Sequence, residues 1–168
     1  MLAGVGVMFY VLLALRRQLR EAGTFSDGGP DLSALLDLVA VGTVADLVPL
    51  DLNNRTLVAA GLRRLRAGQG SAGLRALIEV SGREAARLTT ADIGFAIAPR
   101  LNAAGRLEDM AIGIECLLTD DATHAHELAQ VLHGINAERR GVQQQMTDEA
   151  EAALTHLALA DEGQAPVA

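Results

Sequence analysis

Apolar residues recur at helical spacing along most of this 168-residue chain. They predict a first helix over 3–22, whose first half is apolar on nearly all sides, as is typical of a helix buried inside a larger fold. A glycine-containing loop ends this helix, and Asp31 or Ser33 can cap a second helix by accepting hydrogen bonds from its first backbone N–H groups. The second helix runs through Val44 and ends before Pro49, which cannot continue a helix.

The next apolar stretches predict three more helices. One begins at Asn53 and ends at Gly68, since glycine favours the backbone conformation that terminates helices. A short helix follows over 74–82. Thr89 or Thr90 can then cap the third of these helices, because both are good N-cap residues.

Pro99 is expected to interrupt that helix, so that the polar residues after it lie in a loop. A further helix follows and ends at Leu118. The pattern then predicts one long helix over about 122–160, which suits a helix that leaves one domain and enters another. The last residues, 161–168, indicate a flexible tail.

The predicted fold class is mainly α, because the sequence contains no convincing strand. Half of the residues are apolar, with no Trp, one Tyr and three Phe, a balance that favours helices packed through aliphatic side chains. A complete parallel sheet cannot be built from this chain alone. The single cysteine, Cys116, excludes an internal disulfide, fits a reducing compartment and is expected in the core rather than at a catalytic site.

Charge is distributed unevenly along the chain. The net charge of −7 argues against a general affinity for nucleic acid, since phosphate binding requires local positive charge. Residues 55–106, however, carry nine Arg and three acidic residues, whereas residues 107–168 carry two Arg and twelve acidic residues. The basic part is either a surface that faces a polyanion or a set of solvated helix faces.

The apolar N-terminus could suggest a membrane anchor or a secretory signal. Fifteen apolar or small residues precede Arg16 and Arg17, but a spanning helix needs about 20 apolar residues. A signal peptide carries its positive charge before the apolar run and a cleavage site after it, and neither is evident here. We therefore expect a buried helix of a cytoplasmic domain and no contact with a membrane.

Asp46 is the first candidate for chemistry, because it is a carboxylate in an otherwise apolar stretch. A buried carboxylate must be paired, protonated or bound to a metal. Helix termination or capping is the alternative, since Asp46 lies near the predicted C-terminus of the second helix.

Two segments carry a specific resemblance. VAVGTVADLVPLDLNNRTLVAAGLRRLR at 39–66 and DIGFAIAPRLNAAGRLEDM at 92–110 resemble segments of the RecJ single-stranded-DNA exonucleases of the DHH phosphoesterase superfamily. The resemblance implies that 1–118 is the C-terminal part of an α/β DHH phosphoesterase domain and that 119–160 is a long linking helix. It also implies that Asp46 helps to hold one of two divalent ions, Mn²⁺ or Mg²⁺, which act together on a phosphodiester.

The second segment implies contacts with the phosphates of single-stranded DNA. Asn102 and Arg106 take its polar positions, and a guanidinium can hold a phosphate by two parallel hydrogen bonds. The small residues between them would leave room for the DNA strand. The alternative is that Arg106 pairs with Glu108 or Asp109 and that Asn102 caps a turn. Arg100 is a further candidate of ambiguous role.

The sequence lacks the other ligands that a RecJ-type site uses: an aspartate-rich motif, a further lone aspartate and the Asp-His-His triplet. Its four histidines all lie in the long helix, and two of them, His124 and His126, point to different faces. One aspartate cannot hold two metal ions, so we expect the isolated chain to be inactive. Loss of the sheet against which the first helix should pack predicts an exposed apolar patch and poor solubility.

The leading interpretation is an internal part of a RecJ-type 5′–3′ single-stranded-DNA exonuclease that acts in DNA repair and recombination. Its partner would be the missing phosphoesterase half if the gene is split, and a truncation or an incorrect gene model is the other explanation. Another superfamily enzyme, such as an oligoribonuclease or a cyclic-dinucleotide phosphodiesterase, matches the LNAAGRLEDM segment less well. A non-catalytic helical adaptor or nucleic-acid-binding module is the alternative from a different class.

Overall fold

The computed structural model of the chain describes the backbone of residues 1–107 and 110–161, and the side chains of this part except those of 106, 107 and 155–161. Within it there are helices and no strand, as the predicted mainly α class requires. The helices are α1 (Gly4–Glu21), α2 (Leu36–Ala45), α3 (Leu52–Arg66), α4 (Ala72–Val80), α5 (Thr90–Asp92), α6 (Ala98–Leu107), α7 (Ala111–Leu118) and α8 (Ala122–Asp161). Single 3₁₀ turns cover Leu32–Leu35 and Ala85–Arg87, and a π-helical turn covers Ile93–Ile97.

Polar caps set the start of several helical segments. Asp31 caps the 3₁₀ turn before α2, with its Oδ1 accepting from the Ser33 N–H at 2.9 Å. Thr89 and Asp92 form a capping box at α5, in which each side chain accepts a hydrogen bond from the backbone of the other residue. The sequence left Asp31 or Ser33 and Thr89 or Thr90 as alternatives, and in the structure Asp31 and Thr89 are the caps. Asp51 caps α3 by accepting a hydrogen bond from the Asn54 N–H at 2.9 Å.

Pro99 does not interrupt the helix as the sequence predicted. The chain is helical from Thr90 to Leu107, and the π-helical turn immediately precedes the proline. A π turn widens the backbone, so the proline ring and its missing N–H are accommodated without the clash expected inside a regular α-helix. As a result the segment that contains Asn102 lies in helix α6 and not in a loop.

The main core lies between α3, α4, α6 and the first half of α8. Seven of its large side chains are completely buried, namely Leu65, Leu74, Leu77, Leu88, Ile93, Ile97 and Leu132. Cys116 of α7 is buried among them, which confirms its predicted core position. From Gly141 onward the described side chains of α8 are exposed, so only the first half of the long helix packs on the rest of the chain.

Glycine permits a close approach between α4 and α7. A Cβ atom at Gly73 would lie 1.8 Å from the carbonyl oxygen of Cys116, and the obstructing atom is backbone. This position therefore requires glycine because of the neighbouring helix and not because of its own backbone conformation.

Helix α1 lies at the edge of the described structure. Its inward side packs on α2 through Phe9, which joins a small cluster with Leu32, Val39 and Leu57. Its other side exposes Val5, Val7, Met8, Tyr10, Val11 and Leu15. The predicted burial concerns the larger fold and stays a prediction, whereas the apolar patch predicted for this chain by itself is present. Among the described residues, no helix is long and apolar enough to cross a membrane.

Candidate functional site

Asp46 occupies the C-cap of α2, with its backbone N–H donating to the Gly42 carbonyl at 3.0 Å. Its side chain is exposed, so the expectation of a buried carboxylate is wrong, because the chain leaves the core at this point. Leu47 follows with φ +53°, a left-handed conformation that is uncommon for a residue with a side chain, and it is 86% exposed. Such strain is often retained next to functional groups.

Asn54 fixes the segment that follows Asp46. Its side chain is completely buried, and its Nδ2 donates to the carbonyls of Pro49 and Met1 at 2.8 Å each. Sequence reasoning did not single out this residue. The sequence feature that could have revealed it is its position in the first turn of α3 on the side that faces the core, because a buried amide needs hydrogen-bond partners.

A cavity of about 490 Å³ lies between the end of α2 and the π turn with α6. Ala45 and Leu47, the neighbours of Asp46, line one side, and Asn102 lines the other. The remaining lining is mostly apolar and includes Phe95, which is exposed at the rim. The fold thus brings two predicted site segments, separated by more than fifty positions in sequence, to one cavity.

Asn102 projects from the exposed side of α6, whereas Ala103 and Ala104 face inward and are completely buried. The expectation that the small residues clear space for a DNA strand is therefore wrong for these two alanines, which pack in the core. The backbone of Arg106 lies in the last turn of α6, four residues after Asn102 and hence on the same face. The side chain of Arg106 and its alternative partners Glu108 and Asp109 lie outside the described residues.

Arg100 is only 7% exposed and joins α6 to α8. Its Nε and Nη2 lie 3.2 and 3.1 Å from Nδ1 of His133, and its Nη1 donates to the Ala96 carbonyl. Burial lowers the pKa of the guanidinium, and the nearby charges of Arg140 and Arg83 lower it further. The phosphate contact predicted for Arg100 stays a prediction, while the observed bonds hold the two helices together.

The residues described here do not hold a metal ion by themselves. Asp46 supplies one carboxylate, and residues 1–107 and 110–161 contain no group of three His, Cys, Asp or Glu side chains arranged to bind a metal. His124 contacts Glu115 at 2.7 Å, whereas His126 contacts Glu79 at 3.6 Å on a different side of α8. The two histidines therefore take separate partners, as their spacing predicted.

No family model matches the sequence. Close relatives are nevertheless known: the chain is 56% identical over 152 residues to the single-stranded-DNA-specific exonuclease RecJ of Dickeya dadantii and 52% identical to that of Escherichia coli. Each match covers 89% of this chain and 26% of the relative. The chain thus spans about a quarter of the length of the relatives that it matches.

Solved structures give the same result. A crystal structure of exonuclease RecJ bound to manganese matches this chain with a TM-score of 0.74 and 40% identity. The match covers 86% of this chain and 34% of the chain in that structure. RecJ of Thermus thermophilus in complex with Mg²⁺ matches 73% of this chain with a TM-score of 0.66. The likeness confirms the predicted fold class, a helical part of a RecJ-type DHH phosphoesterase. The chain therefore belongs to the RecJ family of single-stranded-DNA-specific exonucleases and corresponds to about a quarter of their length.

Proposed function

We propose that this chain is part of a RecJ-type 5′–3′ single-stranded-DNA exonuclease that acts in DNA repair and recombination. The observation that carries the proposal is the 56% identity over 152 residues with a RecJ exonuclease. The reaction class is metal-dependent hydrolysis of a phosphodiester, in which two divalent ions stabilise the attacking and leaving oxygens.

Asp46 is proposed as one carboxylate ligand of a divalent ion, Mn²⁺ or Mg²⁺, in the complete enzyme. Its exposure supports this role, because the side chain is free to face ligands from another part of the protein. Asn102 and Arg106 are proposed to contact the phosphates of the DNA. We infer a positioning role for Arg100, whose buried guanidinium is bonded to His133 and Ala96.

The isolated chain is proposed to be inactive, since its described residues supply too few ligands for a metal centre. Residues 1–118 would then be the C-terminal part of the phosphoesterase domain and 119–160 the linking helix. The tight packing of the first half of α8 on α4 and α6 indicates that this domain also includes the start of the linking helix.

A chimera tests the proposal. Residues of this chain replace the matched 152-residue segment of Escherichia coli RecJ, and degradation of 5′-labelled single-stranded DNA is measured with Mn²⁺. We expect activity in the chimera and none in the isolated chain. Asp46→Asn should reduce the activity of the chimera at least about 100-fold, because even indirect disturbance of metal ligands costs 10–100-fold. Asp27→Asn is the matched control, because it makes the same change of charge at an exposed carboxylate in a loop.

The alternative of a non-catalytic nucleic-acid-binding module is supported by the basic segment at 55–106. It predicts that charge reversal at Arg63 and Arg64, in the last turn of α3, abolishes DNA binding while Asp46→Ala leaves it unchanged. An active chimera that requires Asp46 would instead favour the exonuclease.

A further inference from the structure

A second cavity, of about 200 Å³, opens between α6 and α8. It is lined by Pro99, Asn102, Ala103 and Arg139, so it shares Asn102 with the cavity beside Asp46. Arg139 has no role in the resemblance and was not singled out from the sequence. Its place in this wall is a product of the packing of α8 on α6.

The side chain of Arg139 is held in place by neutral groups. Its Nη2 donates to Oδ1 of Asn136 at 3.3 Å, and its Nη1 donates to Oε1 of Gln143 at 3.0 Å. Asn136 is only 3% exposed, so one of the two supports is fixed in the interior. Because both acceptors are uncharged, these two hydrogen bonds restrict the orientation of the guanidinium and leave its positive charge in place.

The surroundings add positive charge. Arg100 is buried with the His133 ring and the Ala96 carbonyl as its partners, and Arg140 lies close enough to lower the pKa of Arg100. Within the part of the chain that the structure describes, none of the ion pairs involves Arg100, Arg139 or Arg140. Cations that are partly removed from water without a counter-charge favour the approach of an anion.

We propose that Arg139 and Asn102 form a binding subsite for a backbone phosphate of single-stranded DNA. This inference rests on the proposed function and extends it, since it adds a residue of the linking helix to the path of the strand. Arg139 supplies the charge and a planar pair of donors, and Asn102 supplies an amide on the shared wall of the two cavities. The strand would pass from the cavity beside Asp46 across Asn102 to Arg139.

Binding of a fluorescent single-stranded oligothymidylate of about 15 nucleotides to the full 168-residue chain tests the subsite. The titrations contain EDTA and are repeated at several salt concentrations. Arg139→Gln should weaken binding about tenfold, the effect of losing one charge-assisted contact. It should also reduce the slope of log affinity against log salt by about 0.7, the value for one phosphate contact on a single strand. Arg55→Gln, an exposed α3 arginine with the same change of charge, should alter affinity less than about twofold.

Equal weakening by Arg139→Gln and Arg55→Gln would overturn the subsite, because only overall charge would then matter. An unchanged affinity in Arg139→Gln, or no binding by the unaltered chain, would overturn it as well. If Arg139→Gln fails to fold, Arg139→Lys carries the test, since it keeps the charge and loses the paired donors, and weakened binding is again expected. The titrations need neither metal nor catalysis, so their outcome is independent of the activity of the chimera.

Discussion

The body of the molecule, formed by α3, α4, α6, α7 and the first half of α8, and helix α1 are both rich in aliphatic side chains but differ in what these side chains contact. Leu65, Leu74 and Leu77 in α3 and α4 are completely buried, whereas Val7 and Val11 in α1 are 50% and 52% exposed. Helix α4 is apolar on one face, so a single layer of neighbouring helices covers it. The first half of helix α1 is apolar on nearly all sides, and α2 is the main partner of this helix. Burial therefore depends on available partners, and composition alone does not secure it.

The largest expected effect comes from the closest contact in the body. Gly73→Ala places a Cβ atom against the backbone of Cys116 and should lower the free energy of unfolding by about 3 kcal/mol or more, since backbone cannot move aside cheaply. Gly134→Ala is the matched control, because open space surrounds that helical glycine. It should raise stability by up to about 1 kcal/mol. Urea unfolding followed by circular dichroism measures both, and equal effects would contradict the close packing of α4 on α7.

Truncation of a leucine in the body should lower the free energy of unfolding more than truncation of a valine on α1. Leu77→Ala removes a completely buried side chain and should cost about 3 kcal/mol, including the cavity that it leaves. Val11→Ala should change the free energy of unfolding by less than about 0.5 kcal/mol. The same urea titrations provide the test. A loss of more than 1 kcal/mol in Val11→Ala would mean that α1 is covered in solution.

The smallest expected effect lies on the surface of the body, where α7 meets α8. The hydrogen bond of His124 to Glu115 raises the pKa of the imidazole above its ordinary value of 6.5, and Glu127 raises it further. Protonated His124 therefore stabilises the folded chain fully below pH 6.5, and this contribution is lost as the pH rises through the raised pKa. NMR titration of His124 should give a pKa above 6.5 that falls in Glu115→Gln. A His124 pKa at its ordinary value in the unaltered chain would contradict this hydrogen bond.

Local signals in the sequence were sufficient for most helices. Asp31 and Thr89 were each one of two candidate caps, because a cap depends on residues only two or three positions away. The end of α2 at Asp46 and the core position of Cys116 followed from the apolar pattern in the same way. Pro99 was misjudged because the π turn before it has no simple sequence signal.

Long-range polar contacts could not be predicted. Arg100 and His133 are 33 positions apart, and neither residue type indicates that the other will be its partner. Asp37 is a second example, since its buried carboxylate accepts at 2.7 Å from the N–H of Ser71, the N-cap residue of α4. In both cases the helix pattern specified which residues are polar but not which helix would lie opposite.

The sequence by itself determined that the chain is helical and that it belongs among the RecJ proteins, because helical periodicity and family motifs are carried by continuous segments. The tertiary structure decided that Asp46 is exposed and that its neighbours share a cavity with Asn102. It also decided that Arg139 lines the second cavity together with Asn102. These arrangements join positions far apart in the chain. They exist only once α2, α6 and α8 have packed, since packing alone sets which faces of the helices meet.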